Sequence, residues 1–169
     1  KAGLIETLAN DGKQWHGRIS PAGWAWLETQ RQVNSTSVQG FVATWFDDSV
    51  NHVFRDAIEP AGVAAGYKMI RVDLQEFNDK ICDRIIAEVR KSKFVVADVT
   101  GQRQGVYFEA GYALGLGIPV IWTCRQDDID KCHFDTRQYN HIVWKDAVDL
   151  KEKLSHRILA TIGSAAIIS

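Results

Sequence analysis

The sequence predicts a doubly wound α/β domain: a five-stranded parallel sheet of flavodoxin-like order with helices on both faces. Three observations carry this. From Phe41 onward, short apolar runs alternate with helix-length segments, and Gly or a capping residue stands at most of the joins. Within that rhythm, residues 94–123 read as a buried strand, a Gly-rich polar turn, a helix of small residues and a second buried strand, which is the βαβ signature of a parallel sheet. The same alternation continues to the end of the chain, giving five strands interleaved with four or five helices.

Taken in order, residues 41–46 form a short apolar strand. Ser49 caps a helix over 50–65, which Gly66 breaks, and 67–72 form the next strand. Asn78 or Asp79 opens an amphipathic helix to about Lys91, with Ile81, Ile85, Ile86 and Val89 as its apolar stripe. The third strand spans 94–99, the third helix 105–117 and the fourth strand 118–123. The loop over 124–140 is long enough to carry a role. A strand over 141–144 and a helix over 147–162 complete the pattern. Residues 1–39 do not share this rhythm. The stretch 15–27 holds a turn and then a short helix opened by Ser20-Pro21, with a weak similarity to the end of a winged-helix module, and 30–39 reads as a polar linker. The expected division is therefore an N-terminal extension and linker over 1–39 and an α/β domain over 40–169.

Composition narrows the function classes. At 169 residues and 46% hydrophobic content, the chain buries a core without needing disulfide staples. Twenty basic against 21 acidic residues leave a net charge of -1, so no global field recruits nucleic acid or an anionic membrane. Cys82, Cys124 and Cys132 are odd in number and lack framework spacing, which indicates reduced thiols in the cytoplasm. No apolar run approaches the roughly 20 residues that span a bilayer, and the start lacks the order of a signal peptide. A start at Lys1 rather than Met reads as a piece of a longer chain. No metal is expected, because Cys124, Cys132 and His133 include no C-x-x-C pair. Nucleophile-elbow, Walker A and GxGxxG patterns are absent as well.

In open parallel sheets ligands bind beyond the carboxyl ends of the strands, where the strand order reverses. That rule selects Trp45, Phe46 and Asp47 after strand one, Asp73 after strand two, Asp98, Thr100 and Arg103 around the turn after strand three, and 123–125 after strand four. One acid, Glu109, interrupts the inward stripe of the third helix, since Val106, Ala113 and Leu116 lie three, four and seven positions from it. Backbone N–H groups at a helix start favour its ionised form, whereas a dry cavity raises its pKa, and the sequence leaves both open. A carboxylate in such a crevice suits the oxocarbenium-like centre formed when an N-glycosidic bond breaks; its alternative is a helix-start acid bonded to its own turn. Asp98 likewise reads either as a cap of its turn or as a ligand contact. Trp45, Trp122 and Trp144, all near strand ends, either stack a planar ligand or pack the core.

Three segments carry a resemblance: 78–86, beginning Asn78-Asp79 and including Asp83; Val95-Val-Ala-Asp98-Val-Thr100; and Val106-Tyr-Phe-Glu109-Ala-Gly-Tyr112-Ala113. Together they resemble the nucleoside 2-deoxyribosyltransferase-like families, related in fold to TIR domains, over about 40–162. The resemblance implies Glu109 as the nucleophile that takes the sugar at its anomeric carbon, the position also essential in TIR-type NAD hydrolases. It implies a homo-oligomer in which a neighbouring subunit completes the site. The transferases carry a second acid six positions before the nucleophile, and Arg103 stands there instead. An Arg disfavours proton chemistry but binds phosphate, which points to a nucleotide or NAD rather than a plain nucleoside. Asp79, with Asp83 as the other choice, then supplies the missing acid beside Asn78. The loop at Cys132-His133-Phe-Asp135-Thr-Arg137-Gln-Tyr139 resembles one recurring in bacterial members, with Asp135 and Arg137 as a clamp or as a contact to a neighbouring subunit. The expected function is an N-glycosidic bond hydrolase or transferase acting on a nucleotide, NAD or nucleoside, the NAD or nucleotide being substrate and not cofactor. The competing expectation is a non-catalytic nucleotide-sensing or self-associating module, and the third a scaffold with a vestigial cavity.

Overall fold

In the computed structural model, residues 3–10, 15–31, 34–72 and 81–165 are described. The chain divides into two compact units, Lys1–Val33 and Asn34–Ser169. In the first, strands β1 (Ile5–Asn10) and β2 (Trp15–Ile19) form an antiparallel hairpin, followed by helix α1 (Pro21–Arg31). Ser20 starts α1 as the sequence leads one to expect: its Oγ accepts from Gly23 N at 2.9 Å, and Pro21 occupies the first position, where a missing N–H costs nothing.

The second unit contains β3 (Gln39–Ala43), α2 (Asp48–Val53), α3 (Glu59–Ala64), β4 (Lys68–Ile70), α4 (Ile81–Lys91), β5 (Phe94–Asp98), α5 (Gln104–Gly115), β6 (Val120–Arg125), β7 (Ile142–Trp144) and α6 (Ala147–Thr161). The five strands are parallel and ordered β4-β3-β5-β6-β7, the doubly wound, flavodoxin-like arrangement. Asn34 to Gln39, linker-like by composition, belong to this unit. Asn34 Nδ2 donates to Ser92 O at 2.9 Å, and Ser37 Oγ to Lys91 O at 2.6 Å, so the stretch is tied to the turn between α4 and β5.

The helix expected over 50–65 is helical from 48 to 64 but is interrupted by a π-helical turn at Phe54–Ile58. Pro60 accounts for it. A proline ring clashes with the carbonyl four residues back and offers no N–H, and the wider turn, with Glu59 N donating to Phe54 O, takes up the misfit. Asp47 caps α2 by accepting from Ser49 N at 3.0 Å, so the helix starts earlier than a Ser49 cap would place it. Gly66, at φ +86°, stops the helical run in the left-handed region.

The core lies where this helical run and α6 meet the sheet: Val53, Ala57, Ile58 and Ala61 face Leu150, Leu154 and Ile158, with Val42, Val96 and Ile121 from the strands. Helices α4 and α5 pack against each other and against β3, β5 and β6. Every residue of β5 is buried, as expected for the central strand of a sheet covered on both faces. Among the described residues no helix is long and apolar enough to cross a membrane.

Candidate functional site

Strands β3 and β5 are neighbours, and their continuations diverge: β3 leads into α2 on the side of the α6 layer, β5 into α5 on the other side. The crevice opens where they part. β3 ends at Ala43, short of the expected boundary, and this releases Thr44, Trp45, Phe46 and Asp47 from the sheet. Beyond the strand ends lies a cavity of about 470 Å³, large enough for a nucleoside-sized ligand. Trp45 and Phe46 form one wall and Ile81, Cys82 and Ile85 of α4 another. The α5 side supplies Arg103, Phe108 and Glu109.

Glu109 reaches this cavity because α5 buries Val106, Ala110 and Ala113 and leaves the neighbouring stripe at the cavity edge. It is the sixth residue of α5, beyond the free N–H groups of the first turn. Among the described residues its carboxyl has no hydrogen bond and no ion pair. Burial pushes its pKa from 4.5 to about 7, and no helix-start contribution opposes it. A carboxyl with a pKa raised to about 7, unpaired among the described residues and lining a cavity, is a candidate functional group.

Arg103 occupies the N-cap position of α5 without capping it. Its Cζ lies 4.0 Å from the centroid of the Trp45 ring, a cation–π contact, and among the described residues it has no carboxylate partner. Asp47 is depressed chiefly by its hydrogen bonds from Ser49, with a smaller contribution from the charge of Arg103. Gly101 explains how the indole fits. At φ +77° its place demands glycine, and a Cβ there would stand 2.4 Å from Cε3 of Trp45. The turn is fixed from the far side by Asp128, which accepts from Gly101 N at 2.9 Å and pairs with Lys131 at 2.6 Å. Phe46 and Phe54 flank the guanidinium of Arg71, at 5.1 and 4.7 Å from their centroids.

Asp98 and Thr100 sit behind the crevice and not on the cavity wall. Asp98 is 2% exposed. Its Oδ1 accepts from Thr100 N at 3.1 Å, and its Oδ2 from Thr123 Oγ1 at 2.5 Å and Trp144 Nε1 at 2.9 Å. One carboxyl thus joins the ends of β5, β6 and β7. Burial raises its pKa, opposed by these hydrogen bonds. Thr100 Oγ1 accepts from Arg125 N at 2.9 Å in the same layer. Asp73, Asn78 and Asp79 lie outside the described residues. Asp83 is exposed on α4 and is not part of the cavity wall. Of the three strand-end tryptophans, Trp45 lines the Glu109 cavity, Trp144 serves Asp98, and Trp122 lines another cavity. Cys82 and Phe108 are wall residues that sequence reasoning missed; the one available signal is Phe108's place beside Glu109.

The second cavity, about 560 Å³, lies on the opposite flank of α5, against the loop over 133–139. Trp122 stacks on Tyr139 at 5.4 Å, and Tyr107 is held by donating to Gln102 Oε1 at 2.5 Å and accepting from His133 N at 3.3 Å. Arg137 clamps the loop to itself, donating to Cys132 O at 3.2 Å and Asp130 O at 2.9 Å, and it leaves Asp135 to His133, 3.4 Å away. Cys124 and Cys132 bring their sulfurs within 3.6 Å, and burial pushes the Cys124 thiol strongly up. Among the described residues no three His, Cys, Asp or Glu side chains group as metal ligands. No protein-family model matches the chain, and no curated protein matches it significantly.

Proposed function

We propose that the domain breaks or transfers an N-glycosidic bond of a nucleotide, NAD or nucleoside, as a relative of the nucleoside 2-deoxyribosyltransferase-like and TIR-like proteins. The observation that carries this reading is the Glu109 carboxyl, unpaired and pushed to about 7 by burial, in a cavity it shares with Trp45, Phe46 and Arg103. The aromatic rings offer faces for a base, and Arg103 a cation for a phosphate. Ionised Glu109 has lost part of the hydration that stabilises a carboxylate in water, so a positive anomeric centre developing beside it is favoured. As nucleophile, a Glu109 oxygen bonds to the anomeric carbon while the C–N bond breaks. The bonding pair leaves with the base: nicotinamide departs neutral as its pyridinium charge is quenched, whereas a purine or pyrimidine takes a proton from solvent; water or a second base then displaces the carboxylate. As cation stabiliser, the same carboxylate acts without forming the bond. By the resemblance, Asp79 holds the ribose hydroxyls.

The second reading, a nucleotide-sensing or self-associating module without turnover, draws on Arg103. Its guanidinium covers part of the Trp45 ring, so a base that stacks there must first displace a cation. Incubating wild type and Glu109→Gln with NAD, NADP, nucleotides and deoxynucleosides at pH 8, with products separated by HPLC, decides between the readings. Free base formed by the wild type and absent with the variant supports the enzyme. Saturable binding with no cleavage by either protein supports the sensor.

A further inference from the structure

We infer that the cavity on the other flank of α5 is a second ligand site, selective for a planar aromatic cation such as an amidine, a pyridinium or a protonated aminoheterocycle. Among the described residues it shares no wall residue with the Glu109 cavity. Its aromatic wall is already built. Trp122 and Tyr139 lie nearly parallel, 17° apart, and Tyr139 remains 37% exposed, leaving ring surface at the edge of the stack. The two hydrogen bonds at its hydroxyl fix Tyr107, and its ring meets those of Trp122 and His133, each at 6.3 Å. Gly111 gives this wall its depth, since a Cβ at that position would meet nothing within 4 Å.

The charge on the wall sets the ligand class. Among the described residues no Lys or Arg lines the cavity, and its carboxylate is that of Asp135, with the wall residue His133 beside it at 3.4 Å, its Nδ1 accepting from Asp135 N. Arg137, two residues on, is turned to the carbonyls of Cys132 and Asp130 and does not neutralise it. Ring faces and a carboxylate attract a delocalised cation and repel a phosphate or carboxylate. This is the reverse of the Arg103 side of α5. The two cavities lie on opposite flanks of one helix, and a compound seated against Tyr107 and Gly111 bears on the helix that carries Glu109.

Calorimetric titration with three planar isosteres, benzamidine, benzamide and benzoate, at pH 7.5 tests the assignment on the intact chain. Benzamidine is expected to bind about tenfold or more tightly than benzoate, with benzamide between. Asp135→Asn, at an exposed position, is expected to bring benzamidine down to the affinity of benzamide, and Tyr139→Ala to weaken both by about tenfold. Glu109→Gln leaves them unchanged. Three results overturn the inference: no binding of benzamidine; binding that falls with Glu109→Gln and not with Asp135→Asn, which places the cation beside Glu109; or a change of sedimentation coefficient in Tyr139→Ala without ligand binding, which makes the wall a contact between copies of the chain.

Discussion

Replacing Glu109 by Gln removes an ionisable group whose burial is uncompensated, and its effect on stability can be worked out in sign and size. The carboxyl titrates at about 7 in the folded chain and near 4.5 when unfolded. Below pH 4.5 both states hold the proton and burial of the charge costs nothing. Between 4.5 and 7 the folded state retains a proton that the unfolded chain has released, so stability falls as pH rises through this window. Above 7 the cost is complete. At 1.36 kcal/mol for each pH unit, the gap corresponds to about 3 kcal/mol. Gln fills nearly the same volume and never ionises, so Glu109→Gln should be more stable than wild type by up to about 3 kcal/mol at pH 8, and by no more than about 0.5 kcal/mol at pH 4.5. For a domain of this size that is a rise in Tm of roughly 6–12 °C. Urea unfolding of both proteins at intervals from pH 4.5 to 8.5 measures the difference, in which the other titrating groups cancel. A difference that does not change with pH, or a variant less stable at pH 8, refutes the claim that the carboxyl is buried without a partner.

Four further outcomes follow from the site. Where the domain turns over a substrate, kcat/KM should rise with pH through an apparent pKa of about 7, because the nucleophile or cation stabiliser is ionised Glu109; a limb that falls there assigns it the role of a general acid. Arg103→Ala should weaken phosphate-bearing ligands by about tenfold and leave nucleosides within twofold, measured by calorimetry; equal losses make Arg103 a packing residue of Trp45. Cys82, exposed at the cavity wall, should react with a maleimide well before the buried Cys124 and Cys132, and a ligand of the Glu109 cavity should slow that labelling severalfold, followed by mass spectrometry. Asp98→Ala should cost about 3–5 kcal/mol in urea unfolding, since it orphans the Thr100 N–H, the Thr123 hydroxyl and the Trp144 indole N–H in a dry interior; a loss under 1 kcal/mol would mean that water reaches them.

The features that local pattern controls were legible in the chain. Alternating apolar runs and helix-length segments predict the parallel sheet and its order, and the stripe of Val106 and Ala113 places Glu109 at the edge of a packed face. The features that escaped depend on groups meeting across the fold. Whether Asp98 caps its turn or meets a ligand is decided by Thr123 and Trp144, 25 and 46 residues further on. The Trp45–Arg103 contact exists because β3 and β5 are adjacent, and nothing local to either residue announces it. The balance of burial against helix-start N–H groups at Glu109 is a property of the whole cavity. Pro60, by contrast, was a visible signal for the break in its helix, although a continuous run over 50–65 is what periodicity favours.

The bond from Trp144 to Asp98 also bears on the order in which the molecule can be made. Synthesis delivers β3, β5 and α5, and with them the Glu109 cavity wall, long before β7. Until residue 144 has left the ribosome, the carboxyl at the end of β5 lacks one of its three donors and the outer edge of β6 has no neighbour. A nascent chain can thus present every residue of the cavity wall and still lack the clamp behind it. The last strand completes two things at once, the hydrogen bonding of the carboxyl behind the crevice and the pairing of β6.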